Sequence, residues 1–319
     1  MKLTLENCRH LTGPSLYFHS PGTVLDAYIS GVPVEEVVKC WQEKVHKLRE
    51  AVGWKQTPLT IRTSQNGVSL ALSASIDSVY SATELNKAAW NNTVAGLSGA
   101  TPEDFENIVA KLKANILQES DPDLLKLSEA AEAQGLQLLA DEETVTLGLG
   151  VGSKSWPAGQ LPTPEEVDWK SLRNVPIALI TGTNGKSTVG RLLASIVKAD
   201  GKVPGLTSTD WIQVGDEILD VGDYSGPGGA RAILRDTRVE FGVLESARGG
   251  MMRRGLGVTQ AQAGIITNVA EEHLGEYGVR SLADLIDVKF TIFRPLESSG
   301  GTLVLNADDS GLVEYATKL

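Results

Sequence analysis

The chain has 319 residues, 41% hydrophobic and 22% charged, enough for two domains with cores of their own and too apolar for a disordered chain. Its net charge of −11 argues against partners that demand a basic face, nucleic acid and anionic membranes alike, while leaving room for a local pocket for phosphates. Two cysteines, Cys8 and Cys40, are too few for a disulfide framework and read as small buried hydrophobes.

The opening Met1–Asn7 has no apolar run for a signal peptide, and nowhere does the chain approach the ~20 apolar residues of a membrane span. The expected compartment is the cytoplasm. In the first half, Val34, Val37, Val38, Trp41, Val45 and Leu48 share one helical face. Short β-prone runs at 61–63 and 68–72 flank Gln65-Asn66-Gly67, a hairpin signal. Helices are expected at 82–95, 103–117 and 122–134. His10, His19 and His46 are scattered with no ligand spacing, and they read as structural or surface residues.

Pro157, Pro162 and Pro164, with Gly159 and Glu165-Glu166, break all periodicity between 153 and 174, which reads as a linker. The predicted organisation is an α+β domain over 1–152, a linker over 153–174 and a second domain over 175–319.

That second domain alternates strands and helices. Val175–Ile180 is a continuous apolar run, as a strand covered on both faces would be. The next helix lines up Val189, Leu192, Leu193, Ile196 and Val197. Further strands are expected at 241–244, 264–267 and 303–305, with helices at 228–236 and 281–292. This rhythm predicts an α/β fold with a mostly parallel sheet.

Between the first of these strands and its helix stands Thr181-Gly182-Thr183-Asn184-Gly185-Lys186-Ser187-Thr188. Glycines let successive N–H groups point into one concavity, the helix start adds a positive dipole end, and Lys186 adds a mobile charge. The Ser187 hydroxyl can ligate Mg²⁺. The usual phosphate loop carries a glycine where this chain has Ile180, so the motif draws its weight from its place between strand and helix.

Glu245 ends an apolar strand and should face the crevice where open α/β sheets bind ligands; helix capping is its plainer alternative. His273 follows another strand end, and a surface histidine is as fair a reading of it as a metal ligand. Lys289, sixteen residues later on a helix, would by itself be placed on a solvated face.

Taken together, these residues resemble the central ATPase domain of the Mur ligase family. The resemblance rests on residues 182–188, Glu245-Ser246, Thr267-Asn268, the 272–274 stretch and Asn306-Ala307-Asp308-Asp309. Gly205–Asp210, Gly222–Pro227, Glu245–Gly250 and the His273-to-Lys289 step are similar to the cyanophycin synthetase branch. More weakly, Arg9-His10-Leu11-Thr12-Gly13-Pro14-Ser15-Leu16 resembles the opening of such chains. Those synthetases place an ATP-grasp domain before the Mur part, for which the ~170 residues preceding the loop leave no room.

The resemblance implies an ATP-dependent ligase that joins a carboxylate to an amine through an acyl phosphate. It implies that Gly182, Thr183, Asn184, Gly185, Lys186, Ser187 and Thr188 cradle the phosphates, with Asn268 and Asn306 also on the nucleotide, Asn306 at the adenine. Ser187 and Glu245 would hold one Mg²⁺ and His273 a second, with Lys289 carbamylated beside it. Arg248 would contact a carboxylate or phosphate. Position 272 is Glu where the family usually has Asp. Family members continue past the Asn-Ala-Asp-Asp motif into a domain that closes over the nucleotide; this chain stops ten residues later, so little turnover is expected of it alone. The rival readings are a P-loop NTPase or kinase, and an inactive nucleotide-binding protein. The resemblance names neither substrate, and an oligomer is compatible with it.

Overall fold

Ten residues at the start, Lys2–Leu11, extend as β1 and pair antiparallel with β2, Gly22–Ser30. After helix α1 (Val34–Ala51) come β3 (Leu59–Ser64) and β4 (Gly67–Ser73), then α2 (Val79–Ser98) and α3 (Phe105–Glu119). The structure is a computed structural model and describes every residue except Gln65 and His273. The four strands form an antiparallel sheet in the order β1-β2-β4-β3. Asn66, at the expected hairpin, has a φ of 59°, the left-handed conformation that an Asn-Gly turn supplies cheaply.

Val37, Trp41, Val45 and Leu48 of α1 and Leu85, Ala89 and Trp90 of α2 bury against Leu25, Leu70 and Leu72 of the sheet. This core belongs to a compact unit made of Met1–Thr12, Ser20–Asp121 and His273–Arg280. Its fully buried Asn86 takes the Trp41 Nε1–H on Oδ1 at 2.9 Å and donates from Nδ2 to the Leu70 carbonyl at 3.0 Å.

The second unit comprises Gly13–His19, Pro122–Glu272 and Ser281–Leu319. It therefore takes in α4 (Pro122–Ala133) and the strands β5 (Leu138–Ala140), β6 (Thr144–Leu147) and β7 (Lys154–Pro157), which form a small antiparallel sheet. This division differs from the expected one, in which the first domain runs over 1–152 and the second over 175–319. The 153–174 stretch, expected as linker, carries β7 and two 3₁₀ turns. Its Trp156, Leu161, Trp169 and Leu172 pack on Leu127, Val145 and Leu147. Prolines broke the periodicity there without removing the apolar side chains that tie the segment down.

The main sheet follows: β8 (Ile177–Thr181), helix α5 (Lys186–Ala199), β9 (Pro204–Thr207), β10 (Trp211–Val214), β11 (Glu217–Val221), α6 (Pro227–Leu234), β12 (Phe241–Glu245), α7 (Arg248–Arg254) and β13 (Ala263–Ile266). Then come α8 (Leu282–Lys289), a 3₁₀ turn at Phe290–Phe293, α9 (Arg294–Ser299), β14 (Thr302–Leu305) and α10 (Ser310–Ala316). Seven strands run in the order β11-β10-β9-β12-β8-β13-β14. The five from β9 to β14 are parallel, and the β10–β11 hairpin adds an antiparallel edge.

Every residue of β8 is buried, as its unbroken apolar run requires. On α5, Val189 and Leu193 pack onto Ile180, Leu206 and Val243. Leu192 and Ile196, expected on that face, are instead 61% and 56% exposed. At 100° per residue they flank the contact stripe, and the sheet covers only its middle. Among the described residues no helix is long and apolar enough to cross a membrane.

The Asn86 bridge gives a test of the first unit. Asn86→Ala leaves a buried indole N–H without its acceptor and opens a small void, so it should cost about 2–4 kcal/mol. Urea denaturation followed by circular dichroism measures it; a change below about 0.5 kcal/mol would mean that the site relaxes around the loss.

Candidate functional site

The register of the parallel strands brings their carboxyl ends level. Glu245 pairs with Ile180, and Ile266 with Thr181. Three chain segments therefore emerge together at one sheet edge, 182–188 from β8, 246–248 from β12 and 267–272 from β13.

The 182–188 loop owes its shape to two glycines. Gly182 has a φ of 147°, and a Cβ on it would fall 1.9 Å from Thr267 Oγ1. Gly185, at φ 83°, is the N-cap of α5. The neighbouring segment holds the loop. Thr183 N–H donates to the Asn268 carbonyl at 3.0 Å and Asn184 N–H to Asn268 Oδ1 at 3.0 Å. The Asn184 carbonyl accepts from Thr267 Oγ1 at 2.6 Å and from Asn268 Nδ2 at 3.0 Å. Lys186 Nζ folds back to the Thr183 carbonyl at 3.0 Å, and Thr188 is exposed on the first turn of α5. The result is a fixed loop over the start of a fourteen-residue helix, an arrangement whose free amides and dipole favour an anion.

Glu245 lies beside this loop and is 3% exposed. Its Oε2 accepts the Ser187 hydroxyl at 2.9 Å, and its backbone N–H donates to Thr207 Oγ1 at 3.1 Å. Oε1 is buried without a hydrogen-bond partner. Burial pushes this carboxyl above the usual range; the Ser187 hydroxyl, the Lys186 charge and the Thr209 amide offset that only in part. A hydroxyl and a carboxylate with an unused oxygen form an all-oxygen donor set of the kind Mg²⁺ selects.

On the other side of the loop, Lys289 is 1% exposed at the end of α8. Its Nζ donates to the Gly182 carbonyl at 2.9 Å and to Glu272 Oε1 at 2.9 Å. Burial draws the ammonium below its ordinary pKa; the Glu272 bond and charge work against this, while Lys186 and Arg248 add to it. For Glu272, burial would raise the pKa, but the Lys289 hydrogen bond and the charges of Lys289 and Lys186 outweigh it and hold the carboxyl low. By geometry the two groups form an ion pair. His273, expected beside Lys289, lies outside the described residues.

Comparison with known proteins bears directly on this constellation. Residues 180–319 match the model of the Mur ligase middle domain. The cyanophycin synthetase of Trichormus variabilis is 44% identical over 144 residues, 45% of this chain and 16% of that protein. That of Geminocystis herdmanii is 46% identical over 142 residues, 44% and 16%. The UDP-N-acetylmuramoyl-L-alanyl-D-glutamate–2,6-diaminopimelate ligase of Leptospira borgpetersenii is 29% identical over 132 residues, 40% and 26%. The match thus spans about a sixth of the length of the cyanophycin synthetases.

Within the matched segment, Arg248 starts α7 and is 6% exposed, with its charge bearing on Lys289. Asn306 lies after β14, where its Oδ1 accepts the Asp308 N–H at 3.0 Å; that contact shapes a turn. Reading the sequence missed three residues that hold the site. Thr207 receives the Glu245 amide, and Thr267 ties the loop at Asn184. Asp309 accepts the Val269 N–H at 2.7 Å and caps α10 through the Leu312 N–H at 3.2 Å. Asp309 was visible in the Asn-Ala-Asp-Asp motif, but the motif suggested nucleotide contact and not a strut for the 268–270 segment.

Glu245 also sets an expectation for stability. Its folded pKa is raised, so this group favours folding as pH falls through that value and opposes it as pH rises above. Glu245→Gln should therefore raise the melting temperature of the ligand-free protein at neutral pH by about 2–4 °C, the shift that ~1 kcal/mol gives a unit of this size. The gain should shrink as the pH is lowered. Calorimetry at two pH values reads both, and a variant that melts lower than the parent at neutral pH contradicts the assignment.

Proposed function

We propose that this chain carries the ATP-binding core of a carbon–nitrogen ligase that works through an acyl phosphate, with a carboxylate and an amine as substrates. The observation that carries the reading is the pairing of Ser187 with a buried Glu245 whose second oxygen has no partner, set at the mouth of an anion-binding loop. The ATP dependence of Mur ligases and the similarity to cyanophycin synthetases support it.

In this scheme the 183–188 loop, through the amides that follow Asn184, and Lys186 hold the β- and γ-phosphates. Ser187 and Glu245 would hold Mg²⁺, which supplies charge neutralisation on the phosphoryl oxygens. A substrate carboxylate oxygen forms a bond to the γ-phosphorus as the bond to ADP breaks. The amine nitrogen then attacks the acyl carbon and gives up a proton, and phosphate leaves with its bonding pair. Charge gathers on phosphoryl and acyl oxygens, so stabilisation by fixed positive groups such as Lys186 and Arg248 dominates.

Asn268 and Asn306 are assigned to the nucleotide, and His273 to a second metal ion. The carbamate that the family resemblance implies on Lys289 would set an anion against Glu272. The modification and the ion pair are therefore alternative states of one side chain.

The test begins with binding. Lys186→Ala should weaken Mg·ATP by about a hundredfold or more, the loss of a charge-assisted phosphate contact, as measured by titration calorimetry. Unchanged affinity removes the nucleotide assignment. Phosphate release that rises only when both a carboxylate and an amine are present separates ligase from simple NTPase chemistry. Release indifferent to both would favour the NTPase.

A further inference from the structure

The run Gly205–Asp210, which the phosphate chemistry leaves unused, ends in an exposed turn between β9 and β10. Ser208 builds this turn. It is fully buried, and its Oγ accepts the Asp210 and Trp211 N–H groups at 3.2 and 3.1 Å and donates to the Trp211 carbonyl at 2.9 Å. The Asp210 carbonyl accepts the Gly222 N–H at 2.8 Å, and the Ser208 carbonyl accepts the Tyr224 N–H at 2.9 Å. These bonds shape the turn from within and from the 222–224 segment. They do not join it to α5.

Arg191 does. It stands one helical turn after Ser187, on the same flank of α5. Its guanidinium binds the Asp210 carboxylate and lies 4.2 Å from the centre of the Trp211 ring, within cation–π range. The ring is itself fixed, because Trp211 Nε1–H donates to Gln213 Oε1 at 3.0 Å. The Arg191 and Asp210 side chains are 44% and 49% exposed, and an ion pair so exposed adds little to stability. Nor does α5 need it to sit on the sheet, since Val189 and Leu193 make that contact. What the pair does is fix where an exposed turn lies.

That turn carries Thr209. Its Oγ1 lies 3.5 Å from Ser187 Oγ, the hydroxyl that donates to Glu245 Oε2. Its amide acts on the Glu245 carboxylate, while Thr207 receives the backbone N–H of Glu245. The two groups assigned above to Mg²⁺ therefore share one wall, and Arg191 holds that wall against the helix from which Ser187 comes.

We propose that Arg191 is a positioning residue for metal-bound nucleotide: by pairing with Asp210 over Trp211 it holds the 208–211 turn against α5 and keeps Ser187 and Glu245 set toward a common cation. The link to the metal rests on the function proposed above; the positioning of the turn does not.

The experiment compares ATP with and without its metal. Arg191→Gln removes a charge as well as a contact. By field alone, that loss would weaken metal-free ATP at least as much as Mg·ATP, because metal-free ATP is the more negative ligand. Loss of positioning acts the other way round. In Arg191→Gln, titration calorimetry should show Mg·ATP binding about fivefold more weakly, with ATP in EDTA within about twofold of the parent. Hydrogen exchange followed by NMR should rise about tenfold at the 209–211 amides while α5 keeps its protection. Arg191→Lys, which returns a cation to the carboxylate and the ring, should restore both to within about twofold. The proposal is overturned if metal-free ATP weakens as much as Mg·ATP, or if Arg191→Lys behaves like Arg191→Gln. It is also overturned if the 209–211 amides of Arg191→Gln stay within about twofold of the parent. A parent protein that binds no ATP would sink the proposed function, and exchange at 209–211 would still decide the positioning.

Discussion

An ammonium group cannot be taken out of water without oxygens arranged to receive it, and Lys289 imposes that condition on the site. Its Nζ has the Gly182 carbonyl on one side and the Glu272 carboxylate on the other. Gly182 in turn must be glycine, because the Thr267 hydroxyl occupies the space a side chain would need. Thr267 is held there by its own bond to the Asn184 carbonyl. Burial of one lysine therefore propagates into the shape of the phosphate loop and the course of the segment after β13. Removing the lysine charge while leaving Glu272 in place would leave a half-buried carboxylate facing an unbonded carbonyl, the arrangement that costs most.

The sheet makes this possible by geometry alone. Parallel strands joined by crossover helices all end at one edge, and β8 lies between β12 and β13. The loop after β8 thus has the strand end bearing Glu245 on one flank and the segment bearing Glu272 on the other. The two carboxylates differ in environment. Glu245 is more deeply buried and answered by a hydroxyl, so its pKa rises; Glu272 is answered by an ammonium, so its pKa falls. Lys186 lowers both, which places its charge within electrostatic reach of each.

The parts of this arrangement that depend on local pattern were readable from the chain. A run such as Val175–Ile180 can be buried on both faces, a loop rich in glycine between strand and helix has few other uses, and Asn66-Gly67 makes a hairpin. The parts that depend on distant partners were not. Lys289 sits on a helix among ordinary neighbours, and its burial is decided by groups 107 and 17 residues away in sequence. The exposure of Leu192 and Ile196 follows from how wide a stripe the sheet covers, which periodicity does not report. The 153–174 stretch looked like linker because proline erases periodicity, yet its tryptophans pack as core residues do. Nor does any local signal reveal that residues 13–19 and 273–280 belong to units other than those of their sequence neighbours.

Unsatisfied polar atoms add a last physical point. Thr181 Oγ1 and Glu245 Oε1 are both buried without a hydrogen-bond partner. Both belong to residues that end adjacent parallel strands, β8 and β12. Elsewhere in these strands the backbone ladder and apolar side chains leave no such deficit. A polar atom buried without a partner costs on the order of 1–3 kcal/mol, a large fraction of the stability of a domain. The two lie on opposite faces of the sheet: Glu245 shares the α5 face with its register partner Ile180, and Thr181, one residue further on, points to the other face. On the function proposed above, the unpartnered oxygen of Glu245, beside the 182–188 loop, would find its partners in a cation and its water shell. The cost that Glu245 imposes on the fold and the metal-holding role proposed for it then have one origin.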